Sequence, residues 1–152
     1  MAMVGLPNHQ VIPPGWEQAH RPVAVSTMTG VCRVHGPDGP PAWPSETPSS
    51  GPVYASDVPC RVQALVSSTE AEAVTQKVTT RRYLVTLPVS RVPDLTVTDT
   101  GPWVTVTGYQ PGYEGDPHLV GRRLKVVDVQ RGTLLWERDL ICSDDLTQGG
   151  TP

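Results

Sequence analysis

The residues that could do chemistry are few and widely spaced. The four histidines stand at 9, 20, 35 and 118, and none lies in a CxxC, HExxH or HxH context. A metal site needs Cys or His at close spacing, or several converging carboxylates. That pattern is missing, so the expectation is no metal and no cofactor. Cys32 and His35 are neighbours in sequence, which would suit a thiolate and its base. On a strand, however, positions three apart point to opposite faces, so Cys32 reads as a core residue and not as a nucleophile. There is no GxSxG, P-loop or GxGxxG stretch. The acidic pairs Glu70/Glu72 and Asp144/Asp145 lie in polar stretches, and a solvated face is expected for them. The chain is therefore expected not to be an enzyme.

The basic pairs Arg81-Arg82 and Arg122-Arg123 fall near strand starts. Adjacent arginines on a strand face opposite ways, so neither pair makes a patch by itself. Two readings stay open. The pairs are exposed positions with cross-strand ion partners, or one member, Arg82 or Arg122, reaches a neighbouring subunit or a DNA phosphate. Repetition around a ring would turn one such arginine into a belt of charge.

The elements that would position these groups are β-strands. The chain has 152 residues, one ordinary domain, with 17 Pro, 14 Gly and no Phe. Valine alternates with threonine, as in Val104-Thr105-Val106-Thr107, and β-branched residues suit a pleated surface. No breaker-free window shows apolar residues at helical spacing over three turns. The net charge of −3 suits neither a basic nucleic-acid binder nor a polyacidic tail. Cys32, Cys60 and Cys142 are isolated, odd in number and set among apolar neighbours. They read as buried, reduced thiols in a cytosolic setting. Neither a secretion signal nor a membrane-spanning apolar run is expected.

Residues 1–25 form an arm in which Trp16–His20 makes at best one helical turn. Its apolar residues Val11, Ile12 and Trp16 need something to pack on, and a neighbouring subunit is favoured over the chain's own body. Residues 26–143 form the barrel domain and 144–152 a polar tail. The first strand spans 26–35, with Met28, Cys32 and Val34 on its buried face. Residues 36–52 form a long loop in which six of seventeen residues are Pro, which excludes a central strand. Loops of this length in compact domains are functional or disordered. Its one large apolar residue, Trp43, either folds back on the barrel or serves as a contact at the loop tip. Residues 53–66 give a short edge piece and then a strand, and 78–89 give a clear strand that Pro88 ends. A hairpin is expected over 95–107, turning at Asp99–Pro102. A breaker-rich loop at Gly108–Pro117 offers Tyr109 and Tyr113 as contact residues. Strands at 122–130 and 134–143 follow. About six strands with short connections predict an all-β chain, closed or nearly closed into a small antiparallel barrel.

Three stretches, in order, resemble a family of small neck proteins of siphophages that infect actinobacteria, of the head-closure (stopper) type. The first is Gly15-Trp16 with His20-Arg21-Pro22-Val23 ahead of the Met28–Val34 strand. The second is Pro59-Cys60-Arg61-Val62-Gln63 with Arg82 through Pro88. The third is Leu119 through Val129, then Gly132-Thr133 and the closing strand. The resemblance spans most of residues 15–142 and rests on the order and spacing of ordinary strand-and-turn motifs. It implies a structural subunit in a ring of six or twelve copies, between an adaptor or portal-side protein and a tail terminator or tail tube. Such a ring closes the DNA channel after packaging, close to double-stranded DNA, in a virion assembled in the host cytoplasm and away from membranes. It implies further that the 35–53 segment is a channel-gating or subunit-contact loop, with Asp38, Pro41, Trp43, Pro44 and Glu46 as its working residues. The Glu70–Lys77 insertion and the Gly108–Pro117 loop depart from the family pattern and are expected to be contacts specific to adaptor or terminator. Other readings are a tail terminator or another ring component, and, from a different class, an OB-like module for single-stranded nucleic acid.

Overall fold

A computed structural model describes residues 12–40, 43–44, 50–65, 80–133 and 135–145. One helix, α1 (Trp16–Ser26), precedes six strands: β1 (Gly30–His35), β2 (Val53–Leu65), β3 (Thr80–Pro88), β4 (Trp103–Tyr109), β5 (Arg123–Val129) and β6 (Glu137–Asp145). The strands close into an antiparallel barrel in the order β1-β2-β3-β6-β5-β4. The expected fold class is therefore the observed one.

Alternation builds the core, with β3 departing from it where Thr86, between Val85 and Leu87, is buried as well. Each strand sends two apolar residues inward: Cys32 and Val34, Val58 and Cys60, Val85 and Leu87, Val104 and Val106, Leu124 and Val126, Leu140 and Cys142. Small and β-branched side chains suit this interior, because a barrel of so few strands has room only for side chains. Leu95 closes one end from the connection between β3 and β4, and is itself buried.

Several boundaries differ from expectation for physical reasons. α1 continues through Pro22 for three turns instead of one. An internal proline costs a helix about 3 kcal/mol, so contacts outside the turn must compensate. Trp16 stacks on His20 one turn later, with centroids 4.3 Å apart, and packs on Trp136 at 5.2 Å. Ser26 and Thr27 hydroxyls donate to the carbonyls of Val23 and Ala24 at the other end. The helix uses up residues 26–29 with its exit, so β1 begins at Gly30 and not at 26.

β2 is one bent strand, not an edge piece and a strand. Register shifts against β1 and a left-handed Asp57 (φ 53°) mark bulges, and a bulge hides a strand from any search for period two. The hairpin expected over 95–107 is absent. Residues 95–98 make a single bridge, Thr98 to Gly101, because both edges of β4 are taken by β1 and β5. The last strand starts at Glu137 and runs into the expected polar tail. Asp144 is 4% exposed and pairs in register with Arg81. The rest of the tail and the Glu70–Lys77 insertion lie outside the described residues.

Candidate functional site

The 36–52 loop leaves one end of the barrel with a fixed base. Gly36 N–H donates to the Pro52 carbonyl at 2.8 Å, and Asp38 N–H donates to the Thr100 carbonyl at 2.9 Å. A Cβ on Gly51 would lie 2.2 Å from the Gly36 carbonyl oxygen, so only glycine allows the two limbs to approach this closely. The Asp38 carboxylate accepts from Arg123 Nη2 at 2.9 Å through each oxygen. Arg123 lies 4.2 Å over the Trp103 ring, whose Nε1 donates to the Thr100 carbonyl. Asp38 is thus a strut at the loop base. Beyond it, Trp43 is 94% exposed and Pro44 is exposed. Of the two open readings, Trp43 does not fold back on the barrel. Pro41 and Glu46 lie outside the described residues.

The remaining expected contact residues divide. Val11 lies outside the described residues, and Ile12 is exposed. Trp16 was expected to dock on a neighbour, yet it packs on Trp136 of its own chain. Of the two readings open for Arg122, the structure shows the ion pair and not a contact left free for a neighbour or DNA: its Nη1 lies 2.5 Å from Asp144 Oδ2. An interior carboxylate requires such a partner, which also overturns the solvated reading of Asp144. Arg82 is exposed on β3. The Tyr109 hydroxyl donates to the Asp116 carbonyl at 2.5 Å, folding the 110–118 loop back, and burial followed by the Asp116 charge raises its pKa. Tyr113 is 55% exposed at the tip of that loop.

The structure also gathers residues that the sequence reading did not single out. Across β1, β4 and β5, Arg33 faces Thr105 and Thr105 faces Arg123, while His35 faces Trp103 and Trp103 faces Lys125. These positions alternate with the buried ones, so they form the outer wall. His35 Nε2 is 2.8 Å from Thr105 Oγ1. Burial lowers the His35 pKa, with Arg123 and Arg33 adding to the effect and Asp38 opposing it. Parity alone would have placed these side chains outward, but only the β1–β4 neighbourhood, across some 70 residues, brings them together.

Cys32 points into the core while His35 points out, so the two form no dyad. Cys32, Cys60 and Cys142 are all buried free thiols. The Cys60 hydrogen bond and burial raise the Cys32 pKa, and burial pushes Cys142 up to about 12. Thiols held protonated in this way are poor nucleophiles and poor ligands. Among the described residues, no three His, Cys, Asp or Glu side chains cluster to hold a metal, and no helix is long and apolar enough to cross a membrane.

No curated protein and no solved structure matches the chain. Residues 20–143, which hold five strands whole, all but the last two residues of β6 and most of α1, match a family of unknown function (DUF6093), and the chain belongs to that family.

Proposed function

We propose that this chain is a structural, non-catalytic ring subunit of the head-to-tail interface of a tailed bacteriophage, closing the DNA channel after packaging and joining head to tail. One observation carries the reading. A closed barrel holds the base of a 17-residue loop rigidly while presenting Trp43 at 94% exposure. Single exposed apolar residues are ordinary, but a tryptophan this far out of the barrel, on a loop tied at its base, offers a large ring for a neighbouring copy to cover. The ordered resemblance of residues 15–142 to stopper proteins supplies the setting, with adaptor or portal-side protein on one side and tail terminator or tail tube on the other. The virion location follows from that setting.

The test is assembly. Native mass spectrometry of the full chain, alone and with its adaptor-side partner, should show a closed ring of six or twelve copies. Trp43→Ala should leave the thermal midpoint unchanged and reduce ring formation. A chain that stays monomeric at high concentration with its neighbours present would refute the reading. So would rings that form equally well with Trp43→Ala and with residues 39–50 removed.

A further inference from the structure

The outer face of β1, β4 and β5 carries Arg33, Arg123 and Lys125. Adjacent strands lie about 4.8 Å apart and alternate residues on one strand about 6.8 Å apart. The register therefore sets Arg33, Arg123 and Lys125 within a patch about 10 Å across. The row continues, since Lys125 faces Ser143 and Ser143 faces Arg82. The row thus gathers four of the chain's twelve Lys and Arg, in a chain that carries −3 as a whole. α1 does not cover it, because the helix region meets the barrel at Trp136 and, through Thr27, at Arg61. Asp38 neutralises part of the patch without reversing it. Arg123 and Arg33 each influence His35 more strongly than Asp38 does.

We propose that this wall binds the phosphate backbone of double-stranded DNA. The inference rests on the ring reading, which places a duplex beside the subunit. The side chains select backbone over bases. Trp103, the one aromatic in the cluster, is covered by Arg123 and tied through Nε1 to Thr100, so it offers no stacking platform of the kind that single-strand binders use. They also favour DNA over an acidic protein segment. Protein interfaces draw their affinity from apolar anchors buried at the centre, and the centre of this patch is cationic with its large ring already occupied. Backbone binding needs only cations held at fixed spacing, and it reads no sequence.

The test uses the full chain, a short labelled duplex of arbitrary sequence and fluorescence anisotropy from about 50 mM to about 200 mM salt. Two or three phosphate contacts predict a slope of about −2 to −3 in log affinity against log salt. Arg33 is exposed and makes no ion pair among the described residues, so Arg33→Glu should fold normally and lose part of the affinity. Arg33→Glu with Lys125→Glu should lose at least about tenfold. Arg91→Glu, a control reversal at a position bonded only to the Asp57 carbonyl among the described residues, should lose less than twofold. Thermal melts check that each variant folds. The proposal is overturned by binding that ignores salt, by equal losses in the control, or by polyglutamate binding as tightly as the duplex, which would assign the wall to an acidic protein. Native mass measured on the same variants separates the two claims. Rings that bind no duplex refute the wall alone, and duplex binding by a chain that never forms rings refutes the neck reading.

Discussion

Arg122→Ala should cost far more than a surface arginine normally does. The guanidinium pairs with Asp144 at 2.5 Å, and the side chains are 32% and 5% exposed respectively. Removing one partner of a fully buried pair costs about 3–5 kcal/mol, because a charge is stranded without water. Here water reaches Arg122 from one side, so screening reduces the expected loss to about 2 kcal/mol. A second bond, from Arg122 Nε to the His118 carbonyl at 3.2 Å, disappears with it and adds little at an exposed site. For a domain of this size, about 2 kcal/mol corresponds to a fall of about 4–8 °C in Tm. Thermal and urea unfolding followed by circular dichroism would measure it. Asp144→Asn in the Arg122→Ala background removes the stranded charge and should restore about half the loss. A loss below about 0.5 kcal/mol, the usual range for surface substitutions, would refute the argument. So would a double variant no more stable than Arg122→Ala.

Three further outcomes follow from the geometry. Leu95→Ala should destabilise by about 2–3 kcal/mol in urea unfolding, since it opens a cavity where Leu95 closes the barrel end, whereas exposed Val97→Ala should stay within about 0.5 kcal/mol. His35 has a folded pKa below its ordinary 6.5, from burial and from Arg123 and Arg33. The unfolded chain therefore takes up the proton first, so the His35 contribution is fully present above about pH 6.5 and is lost as pH falls through the lower folded value; urea midpoints should drop over that window, and His35→Gln should flatten the drop. Ellman's reagent at about pH 8 should leave the native thiols nearly unreactive, with Cys142 near a pKa of about 12, while urea exposes all three.

The barrel was legible because its core follows a local rule. Cys32 and Val34, Val85 and Leu87, Val104 and Val106, and Leu124 and Val126 alternate with polar or exposed neighbours, which needs no knowledge of which strands pair. The departures arose where a distant contact overrode the local rule. Pro22 argues against a helix, and only the packing of Trp16 on Trp136, 120 positions away in the sequence, shows why it is tolerated. Asp57 breaks the alternation of β2 with a bulge. Asp144 reads as solvent-exposed until Arg122 is placed beside it. The 95–98 segment has the composition of a strand, yet β4 has no free edge to give it. The candidate site followed the same division. Trp43 stood out as the lone large residue of a proline-rich loop, whereas Arg33, Trp103, Arg123 and Lys125 gained meaning only from the β1–β4–β5 register.

Closure also limits how this chain can meet a partner. Among the described residues every strand has a neighbour on each side, so little edge is left for a partner strand to extend the sheet. Contacts therefore fall mainly to loops, to α1 and to outward side chains. Two of these routes share a residue pair. Asp38 ties the base of the 36–52 loop to Arg123 of the cationic wall, and the Asp38 N–H bond to Thr100 is a second, independent tie. An anion bound at the Arg123 guanidinium would compete with the Asp38 carboxylate for that tie and leave the Asp38 N–H bond in place. If the wall binds an anion as proposed, its occupancy and the Asp38 tie share a single guanidinium, and by reciprocity anything that holds Asp38 on Arg123 would weaken the wall for that anion by the same factor.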